Sequence, residues 1–260
     1  MIEINKIYNE NCLDTMSRMD DNFIDLTVTS PPYDNLRSYN GYEFDFESIA
    51  KQLYRKTKEG GVLVWVVGDA TINGSETGTS FKQALFFMEC GFNLETMIYK
   101  KDKLPINANR YQDSFEYMFV LSKGKIETFN PIQKKCSQFG KSTRSSTMRS
   151  ASGETKSIKN TKIKEFKKID NVWFFNCGFN KSSTDRFSFK HPAIFPEHLA
   201  KDHIISWSNK ADLVYDPFMG SGTVAKMAIE LNRNYIGSEI SEEYCKIIET
   251  RIKNAEPELF

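Results

Sequence analysis

The sequence predicts an α/β fold, and three observations point to it. Short apolar runs of strand length alternate with stretches of helical period from the first residues onward. From 213 to 239 a strand, a Gly-x-Gly turn, a helix, a second strand and an acidic residue follow one another, the pattern of a mononucleotide-binding unit. Regular patterning breaks down once, between 126 and 170, in a basic segment rich in Ser, Thr, Lys and Arg.

Residues 4–8 read as a strand and 13–18 as a helix, feeding an apolar strand over 23–28, so the chain opens β-α-β. The stretch 34–42, with Arg37, Tyr39, Gly41 and Tyr42, is rich in turn formers and rings, which suits a loop over a site. A helix over 46–58 is stopped by Gly60-Gly61, and 62–67 follows as a fully buried strand ending at Gly68-Asp69. A helix over 80–90 stops at Gly91, and 92–99 and 115–121 are strands. Between 126 and 170 no helical or strand period is sustained. Structure resumes with a strand at 171–175, a helix over 197–207 started by Pro196, a strand at 213–215 and a helix over 224–231. A strand at 234–239 precedes a last helix that Ser241 caps, with Glu242 and Glu243 in its first turn.

The chain has 260 residues, enough to bury a sizeable core, and 40% hydrophobic with 27% charged residues places it among ordinary soluble proteins. The longest apolar run, 62–67, is far too short to span a bilayer, and the first residues lack a signal peptide's apolar core. A cytoplasmic protein with no membrane partner is expected. Five scattered cysteines without a CxxC pair, and only three histidines, argue against a disulfide framework or a structural zinc, and no metal is expected. Charge is unevenly placed: residues 134–168 hold eleven Lys and Arg against two Glu, a net +9 in a chain of net +1, so the rest sums to −8. Such a segment, with Phe139, Met148, Ile158, Ile163 and Phe166 interspersed, suits a phosphate backbone, whose counterions it would release. The alternative is a solvated linker.

Two turns carry the chemistry. Val28-Thr29-Ser30-Pro31-Pro32-Tyr33 ends the second strand stiffly, because Pro31 fixes its own φ and pushes Ser30 toward an extended backbone, while Pro32 does the same to Pro31. The Ser30 hydroxyl and Pro31 carbonyl become pre-aimed acceptors, and Tyr33 adds a flat face. These features suit a planar substrate with an exocyclic amine; taken alone, the stretch also reads as a packed Pro-Pro loop. In the second turn, Gly220 and Gly222 let the backbone approach a ligand at a helix N-terminus. Glu239 lies 19 residues after Gly220, near the ~20-residue spacing of a carboxylate that takes two ribose hydroxyls. The third glycine of the dinucleotide fingerprint is missing, so a pyrophosphate is not the natural guest.

Asp216-Pro217-Phe218-Met219-Gly220-Ser221-Gly222-Thr223, together with Thr29-Ser30-Pro31-Pro32-Tyr33, resembles the S-adenosylmethionine-dependent DNA amino-methyltransferases of the β motif order, in which the catalytic motif precedes the cofactor motif. The resemblance covers nearly the whole chain, with further pieces at Gly68-Asp69, Phe115-Glu116-Tyr117, Val172-Trp173, His191-Pro192-Ala193-Ile194-Phe195-Pro196 and Gly237-Ser238-Glu239. It implies a circularly permuted, Rossmann-like methyltransferase, a mixed and mostly parallel sheet with helices on both faces. Residues 1–125 and 171–260 would form that domain, and 126–170 would be a basic target-recognition insert.

S-adenosyl-L-methionine is the cofactor the resemblance implies. Asp216, Phe218, Gly220, Ser221 and Gly222 would shape its pocket, Thr223 would open the helix, and Glu239 would hold the ribose. His191, Pro192 and Phe195 would pack beside it. Where the family usually has Gly-Asp before Cys-Leu, with the aspartate on the adenine amine, this chain has Glu10-Asn11-Cys12-Leu13, which puts Asn11 there. The catalytic residues would be Ser30, Pro31, Pro32 and Tyr33, with Tyr33 stacking on a base flipped from the duplex. The implied partner is double-stranded DNA, met by Arg37, Lys134, Lys135, Arg144, Arg149, Lys156, Lys159, Lys162, Lys164, Lys167 and Lys168. A cognate restriction endonuclease and a homodimer are left open, in a prokaryotic or phage setting.

Members that methylate adenine N6 commonly carry Asp at the place of Ser30, so serine points to cytosine N4, with adenine N6 as the alternative. A catalytically silent DNA-binding subunit, and the same chemistry on RNA or a protein glutamine, are the competing functions.

Overall fold

The computed structural model describes residues 2–32, 44–102, 109–143, 146–176, 181–185, 187–188, 191 and 194–257. β1 (Lys6–Tyr8) leads to α1 (Cys12–Ser17), whose N-cap is Asn11: its Oδ1 accepts the Leu13 N–H at 2.9 Å. β2 (Ile24–Thr29) is buried along nearly its whole length. α2 (Phe46–Lys56) starts on Asp45, whose Oδ1 accepts from the Ser48 N–H at 3.1 Å.

β3 (Thr57–Val67) follows α2 with no linker, because Thr57 is already extended, at φ −68° and ψ 134°. Gly60-Gly61, expected to stop the helix, instead lie within this strand. Ile24 faces Thr57 and Leu26 faces Val62, so several residues of β3 bulge against Asp25 alone. Gly60 takes the left-handed φ of 79° that the bulge requires. A small hairpin, β4 (Thr71–Ile72) and β5 (Ser75–Glu76), turns at Asn73-Gly74, both at positive φ. Asn-Gly is a strong two-residue hairpin signal, and the sequence reading passed over it.

α3 (Thr79–Glu89), β6 (Asn93–Lys101) and β7 (Phe115–Ser122) complete the first half of the larger unit. After the basic segment come β12 (Val172–Phe175), α4 (Glu197–Trp207), β13 (Leu213–Asp216), α5 (Thr223–Glu230), β14 (Asn234–Ser238) and α6 (Glu242–Asn254). Eight strands form one sheet in the order β1-β14-β13-β2-β3-β7-β6-β12. β7 runs antiparallel to β3 and β6, and every other pairing is parallel.

Helices cover both faces. Phe119 of β7 belongs with Trp65, Leu53 and Phe87 to the core under α1, α2 and α3. The next residue back, Met118, points the other way and meets His203 of α4, Sδ to Nε2 3.3 Å. Burial without a charged partner holds the His203 imidazole down to about 3, so it is a neutral core residue. Among the described residues no helix is long and apolar enough to cross a membrane.

Residues Pro131–Asp170 form a second compact unit. It contains two antiparallel pairs, β8 (Gln133–Lys135) with β11 (Phe166–Lys168) and β9 (Ser146–Arg149) with β10 (Thr155–Ile158). No strand period was expected here, and the reason is physical: every residue of these four strands is exposed, so no face selects apolar residues. Residues 126–130 belong to the larger unit, where Glu127 N–H donates to Gly60 O at 3.1 Å and Asn130 N–H to Ser206 O at 2.8 Å.

Candidate active site

β2 and β13 are parallel neighbours at the centre of the sheet, with Leu26 opposite Val214 and Thr27 opposite Tyr215. The Ser30-Pro31-Pro32 turn and the Asp216-to-Thr223 turn therefore leave adjacent strands at the same carboxyl edge, where ligands bind in open α/β sheets. A buried hydrogen bond joins them: Thr29 Oγ1 donates to Asp216 Oδ1 at 2.7 Å. The same oxygen accepts the Phe218 N–H at 3.0 Å, bending the chain out of β13. Ser30 and Pro32 are half-buried and Pro31 is buried. Tyr33, Arg37, Arg144 and Pro192 lie outside the described residues.

Gly222 adopts φ 80°, and a Cβ there would meet Ile248 Cγ2 at 2.8 Å, so α6 packs directly on the turn. Glu239 spans the 19-residue separation with a direct bond: Oε2 accepts the Gly220 N–H at 2.8 Å, and Oε1 accepts the Ser241 N–H at 2.8 Å. Burial raises the Glu239 carboxyl despite these amides. Burial also pushes Asp216 up to about 7; the Thr29 and Phe218 hydrogen bonds oppose it and the nearby Glu239 charge adds to it. Two buried carboxylates thus flank the glycine turn.

The His191 ring sits 4.4 Å from the Tyr244 ring, edge to face, and packs over Gly220, where a Cβ would come within 3.1 Å of its Nε2. Phe195 reaches the turn through its carbonyl, which accepts from Thr223 Oγ1 at 3.2 Å. Phe218 lies edge-on to Phe44 and Trp65, at 5.6 and 6.1 Å between centroids. Asn11 is placed at the start of α1 by its capping bond. Ser221 is buried, with its hydroxyl and carbonyl turned to Arg251 Nη1 at 3.1 and 2.9 Å.

That arginine is the main residue the sequence reading missed. Arg251 is 1% exposed and makes six hydrogen bonds, to Asp185, Ser183, Glu197, Ser221 O, Ser221 Oγ and Thr223 Oγ1. Lys226 joins it, with Nζ 2.9 Å from Asp185 Oδ2 and 3.0 Å from Glu197 Oε1. In sequence, Arg251 looks like any cation in the last turn of a helix.

Burial pushes the Cys12 thiol up to about 12 and Cys245 to about 11, so neither is a ready thiolate. Among the described residues no group of His, Cys, Asp and Glu is arranged to hold a metal ion. In the basic unit Lys134 and Lys135 stand on β8, Arg149 on β9, Lys156 on β10, and Lys167 and Lys168 on β11. Lys159, Lys162 and Lys164 lie between β10 and β11. Lys134 pairs with Asp170 at 2.8 Å and Lys135 with Glu165 at 3.5 Å.

A family model described as DNA methylase matches residues 24–250. The orphan methyltransferase M.BamHII of Bacillus amyloliquefaciens is 57% identical over 236 residues, 89% of each chain. The type II methyltransferase M1.MboII of Moraxella bovis is 28% identical over 264 residues, 94% of this chain and 95% of that one. Among solved structures, the PvuII DNA methyltransferase, described as cytosine-N4-specific, superposes with a TM-score of 0.69 at 20% identity over 96% of this chain and 87% of that one. The M1.HpyAVI complex with S-adenosylmethionine gives 0.59 at 20% identity over 95% and 98%.

Proposed function

We propose that this chain, which belongs to the DNA methylase family, methylates an exocyclic base amine of double-stranded DNA, cytosine N4 ahead of adenine N6. The observation that carries the reading is the 2.7 Å bond from Thr29 to Asp216, which holds an amine-accepting turn beside a glycine turn at one sheet edge.

The cofactor is S-adenosylmethionine, and when bound it supplies an electrophilic methyl group on a sulfonium. The residues present suit it. Asp216 and Glu239 are buried carboxylates with raised pKa, an environment that a cationic ligand relieves. Glu239 accepts backbone amides on both oxygens, and a carboxylate has about four acceptor sites, so it keeps acceptor capacity for a ribose hydroxyl.

An aromatic amine's lone pair is delocalised into its ring, so it attacks only when its hydrogens are held and its nitrogen is drawn toward tetrahedral geometry. The Ser30 hydroxyl and Pro31 carbonyl accept those hydrogens, and Tyr33 stacks on the flipped base. Alignment of the amine with the transferred group supplies most of the rate. The preference for cytosine rests on Ser30 standing where a carboxylate would favour adenine. The basic unit takes the phosphate backbone, as its net charge favours.

The decisive experiment is to incubate the protein with unmethylated DNA and S-adenosylmethionine, digest to nucleosides and identify the product by mass spectrometry. N4-methylcytosine is expected. N6-methyladenine would move the target to adenine, and no methylated nucleoside would remove the reaction.

A pH dependence follows from Asp216. Its carboxyl titrates at about 7 in the free protein, and a cationic ligand favours the ionised form. The dissociation constant for S-adenosylmethionine is therefore expected to fall as pH rises from about 6 to about 8, with protons released on binding. Calorimetry in buffers of different ionisation enthalpy reads this, and Asp216→Asn should flatten the profile; an equally steep profile in that variant assigns the proton elsewhere. For folding of the free protein the sign is opposite. A carboxyl raised by folding contributes its full stability below its ordinary pKa of 3.8, and that contribution is lost progressively as pH rises from there to about 7.

A further inference from the structure

We propose that the β9–β10 ribbon is the base-reading element of the basic unit, entering the major groove of duplex DNA with Thr147, Arg149, Thr155 and Ser157 toward the base edges. The inference rests on the DNA-methylating reading above and names the residues that select its target. In the ribbon Arg149 stands opposite Thr155 and Thr147 opposite Ser157. Opposed residues, and every second residue along a strand, share a face. One face thus carries a guanidinium and three hydroxyls, and the other carries Ser146, Met148, Lys156 and Ile158.

All eight residues are exposed. Among the described residues, none of the four side chains on the hydroxyl and guanidinium face is engaged in a hydrogen bond or ion pair. The register is nevertheless well fixed. Ser150 N–H donates to Glu154 O at 2.8 Å, and Gly153, at φ 85°, is the left-handed residue of a three-residue hairpin loop. An isolated two-stranded ribbon is marginal in water, and this one covers no core, so its regular shape points to a ligand that fits it.

Size, charge and chemistry all favour the major groove. Four strand residues extend about 13 Å, the rise of about four base pairs, and a two-stranded ribbon fits a groove roughly 12 Å wide. The eight strand residues include Arg149 and Lys156 and no carboxylate; the nearest acid in sequence, Glu154, immediately precedes β10. Arginine grips guanine O6 and N7 through two donors, and hydroxyls bond to base edges of either polarity. Lys156, on the other face, and Lys159, Lys162 and Lys164 suit phosphates, which position a protein without reading sequence.

The test incubates the full chain with S-adenosylmethionine and a library of randomised duplexes, and reads the bases around each methylated position by sequencing. The wild-type protein is expected to yield a single motif. Arg149→Gln, and separately Thr147→Val combined with Ser157→Ala, should lower the rate on that motif about ten- to hundredfold and relax one or two of its positions. Valine keeps threonine's β-branching, so the strand is retained. Lys156→Gln should weaken binding evenly across sequences and reduce its salt dependence, with the motif kept.

Face variants that methylate the wild-type motif with undiminished discrimination against single-base changes overturn the proposal. A wild-type protein that methylates no duplex overturns the reaction instead. Recovery of bound duplexes from the same library then decides on the ribbon: sequences enriched by wild type but not by Arg149→Gln support it, and identical enrichment by both refutes it.

Discussion

Replacing Ser30 with alanine is expected to lower methyl transfer by about two to three orders of magnitude, the range seen when one preorganised hydrogen-bond partner of a reacting group is removed. The dissociation constant for S-adenosylmethionine should change less than about twofold. The split follows from position. Ser30 lies just beyond the end of β2, in a turn stiffened by two prolines, and the Thr29–Asp216 bond anchors its strand. Removing the hydroxyl therefore takes away an acceptor for the amine and leaves the glycine turn, Glu239 and Asp216 in place. Single-turnover transfer and calorimetric cofactor binding separate the two effects. An unchanged transfer rate would mean that the amine hydrogens are held elsewhere, and a parallel loss of cofactor affinity would mean that the serine shapes the pocket rather than the reaction.

Both turns were legible in the sequence because each is a local signal with a stiff or permissive backbone at fixed positions. Pro31-Pro32 cannot continue a strand, and Gly220 and Gly222 accept left-handed φ where other residues strain. The spacing from Gly220 to Glu239 was legible for the same reason: one strand-turn-helix-strand unit sets it, and the structure closes it with a hydrogen bond. What could not be read is what depends on distant partners. β1 pairs with β14, more than 200 residues away in the chain, and no local pattern announces that. The bulge at Gly60 exists because β2 and β3 slip past each other between Ile24 and Leu26, so the glycine pair read from sequence as a helix stop is an interstrand feature. The ribbons of the basic unit escaped because period-two patterning reports a buried face, and they have none.

Arg251→Met is expected to destabilise the protein by about 3–5 kcal/mol, because breaking a buried ion pair from one side leaves charge uncompensated. The guanidinium is wholly buried, and its loss strands Asp185 and Glu197 with Lys226 as their remaining cation. It also leaves Ser221 O, Ser221 Oγ and Thr223 Oγ1 without their donor inside the glycine turn. Burial by itself would raise the Glu197 carboxyl, but hydrogen bonds from Ser183 and Lys226 and the charges of Lys226 and Arg251 outweigh it and hold the group below its ordinary value. A depressed carboxyl stabilises the fold above its unfolded pKa and loses that contribution as pH falls through the folded one. The variant should therefore lose stability at neutral pH and show a shallower acid limb. Arg251→Lys should recover part of the loss, since a lysine keeps the charge but offers three donors where the guanidinium makes six bonds. Denaturant unfolding at neutral and acid pH measures all three proteins. A loss below about 1 kcal/mol in Arg251→Met would mean that the cluster behaves as a solvated surface network. A full loss together with weakened S-adenosylmethionine binding in the folded variant would tie the turn's geometry to a helix whose residues lie some thirty positions beyond it.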